Sequence, residues 1–163
     1  MINYSTLENV TRQELFDAFM SSFQGFQITT ETTYDSFNEM LEQHNYDATI
    51  SLGAFDSETG KLVSYVLNSI IKEDPKTAYD ILTGTIPSYR RRGISRKIFE
   101  MMKTLLQQNN VEIYTTEVLK NNSEALSLYL SVGFLIKEEV VNVITTPKGS
   151  REVYEYKIIM NIQ

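Results

Sequence analysis

Thr85-Ile86-Pro87-Ser88-Tyr89-Arg90-Arg91-Arg92-Gly93-Ile94-Ser95 ends a run of strand character and opens an amphipathic helix. Upstream, Ile81-Leu82-Thr83-Gly84-Thr85-Ile86 is short, apolar and β-branched, so it reads as a strand, and Pro87-Ser88 breaks it. Downstream, Ile94, Ile98, Met101, Met102 and Leu105 recur at helical spacing and predict a helix from near Gly93 to about Gln107. The first turn of such a helix holds N–H groups without intrahelical partners and carries partial positive charge, a combination that binds anions. Gly93 admits a ligand close to the main chain, and Arg90, Arg91, Arg92 and Arg96 are charge-assisted donors suited to phosphate. A phosphorylated ligand fits this junction; a solvated basic turn is the plainer reading of the same residues.

A second block begins at Thr116 and runs to Phe134. Val111 to Val118 reads as a strand, Asn122 as a helix N-cap and Gly133 as the residue that stops the helix. Asn122 and Tyr129 stand two helical turns apart and so face the same way. With the two blocks in view, the chain resembles a known family. Arg90-x-x-Gly93-x-Ser95 is similar to the pyrophosphate signature R/Q-x-x-G-x-G/A of the GNAT superfamily of acyl-CoA-dependent N-acetyltransferases. It departs from that signature where members often carry Gly, here Arg91, and where they carry Gly or Ala, here Ser95. The second block resembles the superfamily's E-V-x-x-x-N-x-x-A-x-x-L-Y-x-x-x-G-F segment position for position, from Glu117 to Phe134.

Composition agrees with that resemblance and narrows the alternatives. The chain has 163 residues, room for one domain spanning 1–163 with a real core, and is 42% hydrophobic and 22% charged, without low-complexity tracts or repeats. No apolar run approaches a membrane span, and the N-terminus lacks a signal-peptide pattern. The absence of cysteine excludes disulfides and thiolate catalysis, and a cytoplasmic location is the expectation. The net charge is −6, yet residues 90–97 hold five cations and no acid, leaving −11 for the remainder. A duplex nucleic-acid binder would spread basic charge over a broad face; a compact basic spot on an acidic body suits one polyanion, such as coenzyme A. The acidic remainder is either plain solvated surface or a field that attracts a cationic amine.

The other elements follow from local pattern. Ile2 to Ser5 reads as a strand, and Thr11-x-x-Glu14 as a capping box before a helix bearing Leu15, Phe16, Ala18, Phe19 and Phe23. Thr33 to Gln43 reads as a second helix with Tyr34, Phe37, Met40 and Leu41 on one side. Ala48 to Phe55 and Leu62 to Ile71 flank a Ser57-Glu58-Thr59-Gly60 turn, and Phe134 to Ile144 and Val153 to Ile162 flank Pro147-Lys148-Gly149, two hairpin signals. The order β-α-α-β-β-β-α-β-α-β-β is what the resemblance implies over nearly the whole chain. The implied fold is α/β (α+β): a mixed, mostly antiparallel sheet of about seven strands flanked by four helices and splayed between the fourth and fifth strands.

The resemblance also implies roles for particular residues. Acetyl-CoA is the expected co-substrate, its pantetheine arm entering the splay beside main-chain groups of Thr83, Gly84 and Thr85. The amides of Arg91, Arg92, Gly93, Ile94, Ser95 and Arg96 would hold its pyrophosphate, and Asn122 would bond the arm, act as a plain N-cap, or do both. Tyr129 takes the position of the superfamily's general acid, which protonates or stabilises the departing thiolate; a core tyrosine is the other reading. Glu117 takes the position where ribosomal-protein alanine acetyltransferases of the superfamily carry their base, and a surface carboxylate is the other reading. A base is wanted because a lysine-like amine has a pKa of about 10.4 and must lose a proton before it attacks. Phe23 and Phe26, in the link between the first two helices, fall where members place acceptor-binding loops, although aromatic residues after a helix also serve cores.

No metal site is expected, since His44 is the lone histidine and reads as a solvated residue at a helix end. Gly84 and Gly93 do not form a P-loop, and no serine has a nucleophile-elbow context. The implied function is transfer of an acetyl group from acetyl-CoA to a primary amine, on a small molecule, a peptide N-terminus or a lysine, by direct attack in a ternary complex. The alternatives are a non-catalytic acyl-CoA-binding or sensing module and a single-stranded RNA binder built on the arginines and neighbouring tyrosines. No nucleic-acid or membrane partner is expected, and the last hairpin is apolar enough for a homodimer.

Overall fold

A computed structural model describes residues 1–23 and 32–163. In chain order the elements are β1 (Ile2–Thr6), α1 (Arg12–Ser22), α2 (Tyr34–Gln43), β2 (Leu52–Asp56), β3 (Leu62–Ile71), β4 (Asp74–Thr85), α3 (Ile94–Gln108), β5 (Ile113–Leu119), α4 (Ser123–Ser131), β6 (Leu135–Thr146) and β7 (Gly149–Asn161). The expected order of strands and helices holds throughout. Both early helices start on reciprocal caps: Thr11 with Glu14, and Thr33 with Ser36.

Several boundaries differ from the sequence reading: β5 begins at Ile113 rather than Val111, β6 spans Leu135–Thr146 rather than Phe134 to Ile144, and β7 begins at Gly149 rather than Val153. Ala48–Ile50 is a 3₁₀ turn rather than the start of a strand, because the Asp47 carboxylate accepts both the Thr49 N–H (2.9 Å) and its hydroxyl (2.6 Å). β4 begins seven residues before the predicted Ile81, at Asp74.

All seven strands join one sheet in the order β1-β2-β3-β4-β5-β7-β6. Every neighbouring pair is antiparallel except β4 with β5, which is parallel and holds at three positions: Thr77↔Ile113, Ala78↔Tyr114 and Tyr79↔Thr115. The pairing ends there for a local reason. Opposite β3 the register runs from Asn68↔Asp80 to Leu67↔Leu82, leaving Ile81 as an extra residue on β4. Such a bulge bends its strand and sharpens the twist. β4 then stays with β3 as far as Ser64↔Thr85, while β5 stays with β7 as far as Leu119↔Glu155. The two strands separate, and the sheet splays between its fourth and fifth strands as expected.

Helices cover both faces. The α3/α4 face packs Ile94, Ile98, Phe99, Met102 and Leu106 against Ala78, Tyr114, Phe134 and Ile158, all buried. The α1/α2 face packs Leu15, Ala18, Phe37 and Leu41 against Leu62, Tyr65 and Leu67. Burial of these side chains, worth about 1.5–3 kcal/mol each, fixes which face of the gap each later residue lines.

Candidate active site

The mouth of the gap is the start of α3. Gly93 is its N-cap at φ 75°, and no side chain caps it. The first-turn N–H groups are therefore left without either an intrahelical or a side-chain partner. Arg91 is also left-handed (φ 62°), and two such residues in three positions make the kind of loop whose N–H groups converge on an anion. Arg91, Arg92 and Arg96 are exposed, and the Arg92 guanidinium lies over the Tyr89 ring at 5.0 Å. Ile94 is buried in the core, so only its backbone faces the mouth.

Arg90 corrects the sequence reading. It was grouped with the phosphate donors, yet its Nε donates to the Thr85 carbonyl at 3.1 Å and its Nη2 to the Ser22 carbonyl. The Ser95 hydroxyl is likewise engaged. It shares a hydrogen bond with Thr85 Oγ1 (2.9 Å), which shares another with Ser64 Oγ (2.8 Å), stitching α3 to β4 and β3.

Thr83, Gly84 and Thr85 form the β4 wall of the gap. All three are half-buried, paired with β3 on one side and, among the described residues, with no strand on the other. Gly84 has no room for a side chain: a Cβ there would lie 2.3 Å from the Tyr65 hydroxyl and 2.9 Å from Ser22 Oγ. Tyr65 and Ser22 are themselves buried and joined by a 2.7 Å hydrogen bond.

Tyr129 projects from α4 into the α3/α4 face, 8% exposed, with Phe99 and Phe134 edge-on at 5.6 and 5.2 Å. Its hydroxyl donates to Asp80 Oδ2 at 2.9 Å. Burial, followed by the Asp80 charge, raises the Tyr129 hydroxyl well above its ordinary pKa. Asp80 is the residue that sequence reasoning missed. It is 2% exposed, takes a second hydrogen bond from Thr83 Oγ1 (2.7 Å), and leaves Oδ1 buried without a partner. Burial pushes its carboxyl up to about 6, against the opposing pull of the Thr83, Tyr129 and Leu82 donors.

Glu117 lies elsewhere. It is exposed near the end of β5, directly opposite Lys157 of β7. Its neighbour is Tyr79, whose hydroxyl is raised by burial first and then by the charge and hydrogen bonding of Glu117. The gap thus has a phenol–carboxylate pair on each face, Tyr129 with Asp80 and Tyr79 with Glu117, with Tyr79 and Asp80 consecutive on β4. No hydrogen bond among the described residues joins Tyr129 to Glu117.

Asn122 caps α4, its Oδ1 accepting the Ala125 N–H at 3.2 Å, while the side chain stays exposed. Phe23 is the C-cap of α1 and packs on Phe19 at 4.9 Å. Phe26 lies outside the described residues. His44 caps the end of α2, exposed, with its ring 6.4 Å from that of Tyr79. Among the described residues no three of His, Cys, Asp and Glu gather in a metal-binding group, and no helix is long and apolar enough to cross a membrane.

This geometry has counterparts. The family model described as Acetyltransferase (GNAT) family matches residues 12–134. [Ribosomal protein bS18]-alanine N-acetyltransferase of Escherichia coli strain K12 is 28% identical over 78 residues, 48% of this chain and 51% of that protein. A crystal structure of the E. coli ribosomal-protein-S18-alanine N-acetyltransferase aligns with a TM-score of 0.75 at 19% identity, covering 100% of this chain and 95% of the other. N-alpha-acetyltransferase RimI of Mycobacterium tuberculosis is 34% identical over 101 residues, 61% of this chain and 58% of that protein. The matched stretches span about half the length of these curated relatives. The structure of Salmonella typhimurium yncA with its cofactor acetyl-CoA aligns with a TM-score of 0.72 at 12% identity, covering 99% and 94%.

Proposed function

We propose, since this chain belongs to the GNAT acetyltransferase family, that it transfers an acetyl group from acetyl-CoA to a primary amine by direct attack in a ternary complex. One observation carries this reading: the β4/β5 gap opens onto the uncapped start of α3, with the Tyr129 phenol buried at its α4 side. The donor set fits the co-substrate. Free backbone N–H groups, left-handed backbone at Arg91 and Gly93, and three exposed arginines suit a diphosphate. An unpaired β4 edge at Thr83, Gly84 and Thr85 suits an amide-bearing arm that pairs as a strand does.

Bound acetyl-CoA would supply the acyl thioester. The chain's own residues would do the rest. Arg91 through Arg96 hold the phosphates, and Asn122 fixes the start of α4 beside the arm. Tyr129 holds a proton at the sulfur end, and Glu117, exposed on the other face, draws a proton from the entering ammonium. An α-amine is the acceptor that asks least of such a base, because its pKa is about 7.7–8.0 against about 10.4 for lysine. The names of the two curated relatives point the same way, so a peptide N-terminus is the first acceptor to test. Phe23 and Phe26 are assigned to the acceptor side.

We further assign the chain to a single domain acting in the cytoplasm. Dimerisation, if it occurs, would use β6, which exposes Val141, Val143 and Ile144 along the sheet edge. The alternative, an acyl-CoA sensor without turnover, draws support from the Tyr129 proton being directed at Asp80.

Steady-state thiol release from acetyl-CoA separates the two readings, with an alanine-starting peptide, a polyamine and free lysine as acceptors. Turnover with at least one amine, lowered about 10²–10⁴-fold in Tyr129→Phe and reduced in Glu117→Gln, is the expected result. Tight coenzyme A binding without turnover on any amine would establish the sensor instead.

A further inference from the structure

Among the described residues, Asp80 is the one buried carboxylate, and the proposed reaction leaves it idle. It sits between the last β4/β5 pair, Tyr79↔Thr115, and the Ile81 bulge, where β4 leaves β5. We propose that Asp80 is a positioning residue that sets, by its own protonation, which way the Tyr129 proton points. This rests on Tyr129 being the acid of the acetyl transfer.

The geometry distinguishes two states of one contact. With Asp80 ionised, Tyr129 donates to Oδ2 across 2.9 Å, and its only proton is held inside the protein. With Asp80 neutral, a proton on Oδ2 donates to the phenol oxygen over the same distance, so the phenol proton turns away from Asp80 toward the gap. Only the second state offers a proton to a leaving sulfur.

Burial favours the neutral state. Oδ1 is buried without a hydrogen-bond partner, which is costly for a charged oxygen and far less so for the carbonyl oxygen of a neutral carboxyl. Four phenols act electrostatically with Asp80: Tyr65 from β3, Tyr79 from β4 itself, Tyr114 from β5 and Tyr129 from α4; the Arg90 guanidinium acts on the first of them and the Glu117 carboxylate on the second. Opposite it on β3 stands Asn68, a neutral residue already bonded to the Tyr114 hydroxyl at 2.6 Å. Burial holds the carboxyl up to about 6, against the Thr83, Tyr129 and Leu82 donors, which favour its charged form. An ionised Asp80 also raises the Tyr129 hydroxyl, making it the poorer acid.

The proton balance closes. As the Tyr129 O–H breaks and an S–H bond forms on the thiolate, the Oδ2–H bond breaks and its proton restores the phenol. Asp80 ends as a carboxylate and recovers its proton from solvent water.

Asp80→Asn supplies the test, since an amide NH₂ can donate to the phenol oxygen at every pH. The ratio of wild-type to Asp80→Asn kcat, at saturating acetyl-CoA and alanine-starting peptide, cancels the acceptor's own titration. That ratio should fall about tenfold per pH unit above the Asp80 transition, while the variant, whose phenolate is held by the amide and takes its proton from solvent water directly, shows no fall through that transition. A variant slower than wild type at every pH would overturn the proposal, because ionised Asp80 would then be the useful form. Tyr129→Phe with full turnover would remove the reading on which the proposal rests, and the proposal with it. Carbon-13 carboxyl NMR of the free protein gives a readout without substrate. One carboxyl should titrate well above the ordinary aspartate range, shift in Tyr129→Phe and vanish in Asp80→Asn. If Asp80→Asn does not fold, the wild-type and Tyr129→Phe titrations decide, and the absence of any such carboxyl would overturn the proposal.

Discussion

Replacing Gly84 by alanine should cost far more stability than a single methyl group suggests. The new Cβ would stand 2.3 Å from the Tyr65 hydroxyl, 2.6 Å from Tyr65 Cζ and 2.9 Å from Ser22 Oγ. Tyr65 is 1% exposed and cannot swing into solvent, so its ring must move within the α1/α2 core. Overpacking of this kind costs about 1–3 kcal/mol. Moving the phenol also breaks the buried 2.7 Å bond to Ser22, which costs about 1–3 kcal/mol when a donor is left unpartnered. Alanine's advantage over glycine in a strand returns about 0.5–1 kcal/mol. The net expectation is a loss of roughly 2–4 kcal/mol, read from urea unfolding midpoints at constant slope. A cycle with Tyr65→Phe tests the cause. Removing the hydroxyl removes the nearest clash, so the Gly84→Ala penalty in that background should shrink by about 1 kcal/mol or more. A Gly84→Ala loss below about 0.5 kcal/mol, or strict additivity with Tyr65→Phe, would refute the reasoning.

Two further outcomes follow from the site. Gly93→Glu puts a carboxylate beside the anion site without steric conflict, since nothing lies within 4 Å of a Cβ there. Left-handed strain should cost about 1–2 kcal/mol of stability, whereas coenzyme A affinity by calorimetry should fall more than tenfold. Gly93→Asn, neutral and tolerant of that backbone, should keep most of the affinity, and unchanged binding by Gly93→Glu would displace the phosphates from α3. Asp80 also makes stability depend on pH. Its carboxyl rises on folding from about 3.9 to about 6, so the native state binds the extra proton and stability is lost as pH climbs between those values. The loss is roughly 3 kcal/mol in the wild type and absent in Asp80→Asn, so urea melts of the two should converge toward pH 4 and diverge by pH 7. Parallel curves would show that Asp80 does not titrate in this range.

The sequence made the scaffold legible where local chemistry agrees with tertiary structure. α3 was readable because Gly93 marks its start and its apolar residues repeat at one helical face; the structure begins it at Ile94 and ends it at Gln108. α4 was readable because Asn122 and Gly133 bracket it. The front half of β4 was not, because Asp74-Pro75-Lys76 is exposed and the strand there owes its conformation to pairing with β3 at Asp74 and Ala78 and with β5 from Thr77 onward. Asp80 was hidden by the same strand. A residue between Tyr79 and Ile81 reads as the polar side of an alternating strand, and the Ile81 bulge breaks the alternation that would reveal its inward direction. Its one readable signal was Thr83, three residues on, a hydroxyl poised to bond it. Arg90 was misread for a different reason. A run of arginines shows how much charge is present, and only the fold shows that Ser22, sixty-eight residues earlier, already holds one of them.

That arginine is a clasp between the two halves of the proposed chemistry. One guanidinium grips the last carbonyl of β4 and the last residue of α1, so the strand that would flank the thioester and the helix that leads toward Phe23 share an anchor. Whatever shifts the end of β4 must therefore carry the end of α1 with it or break one of these two bonds.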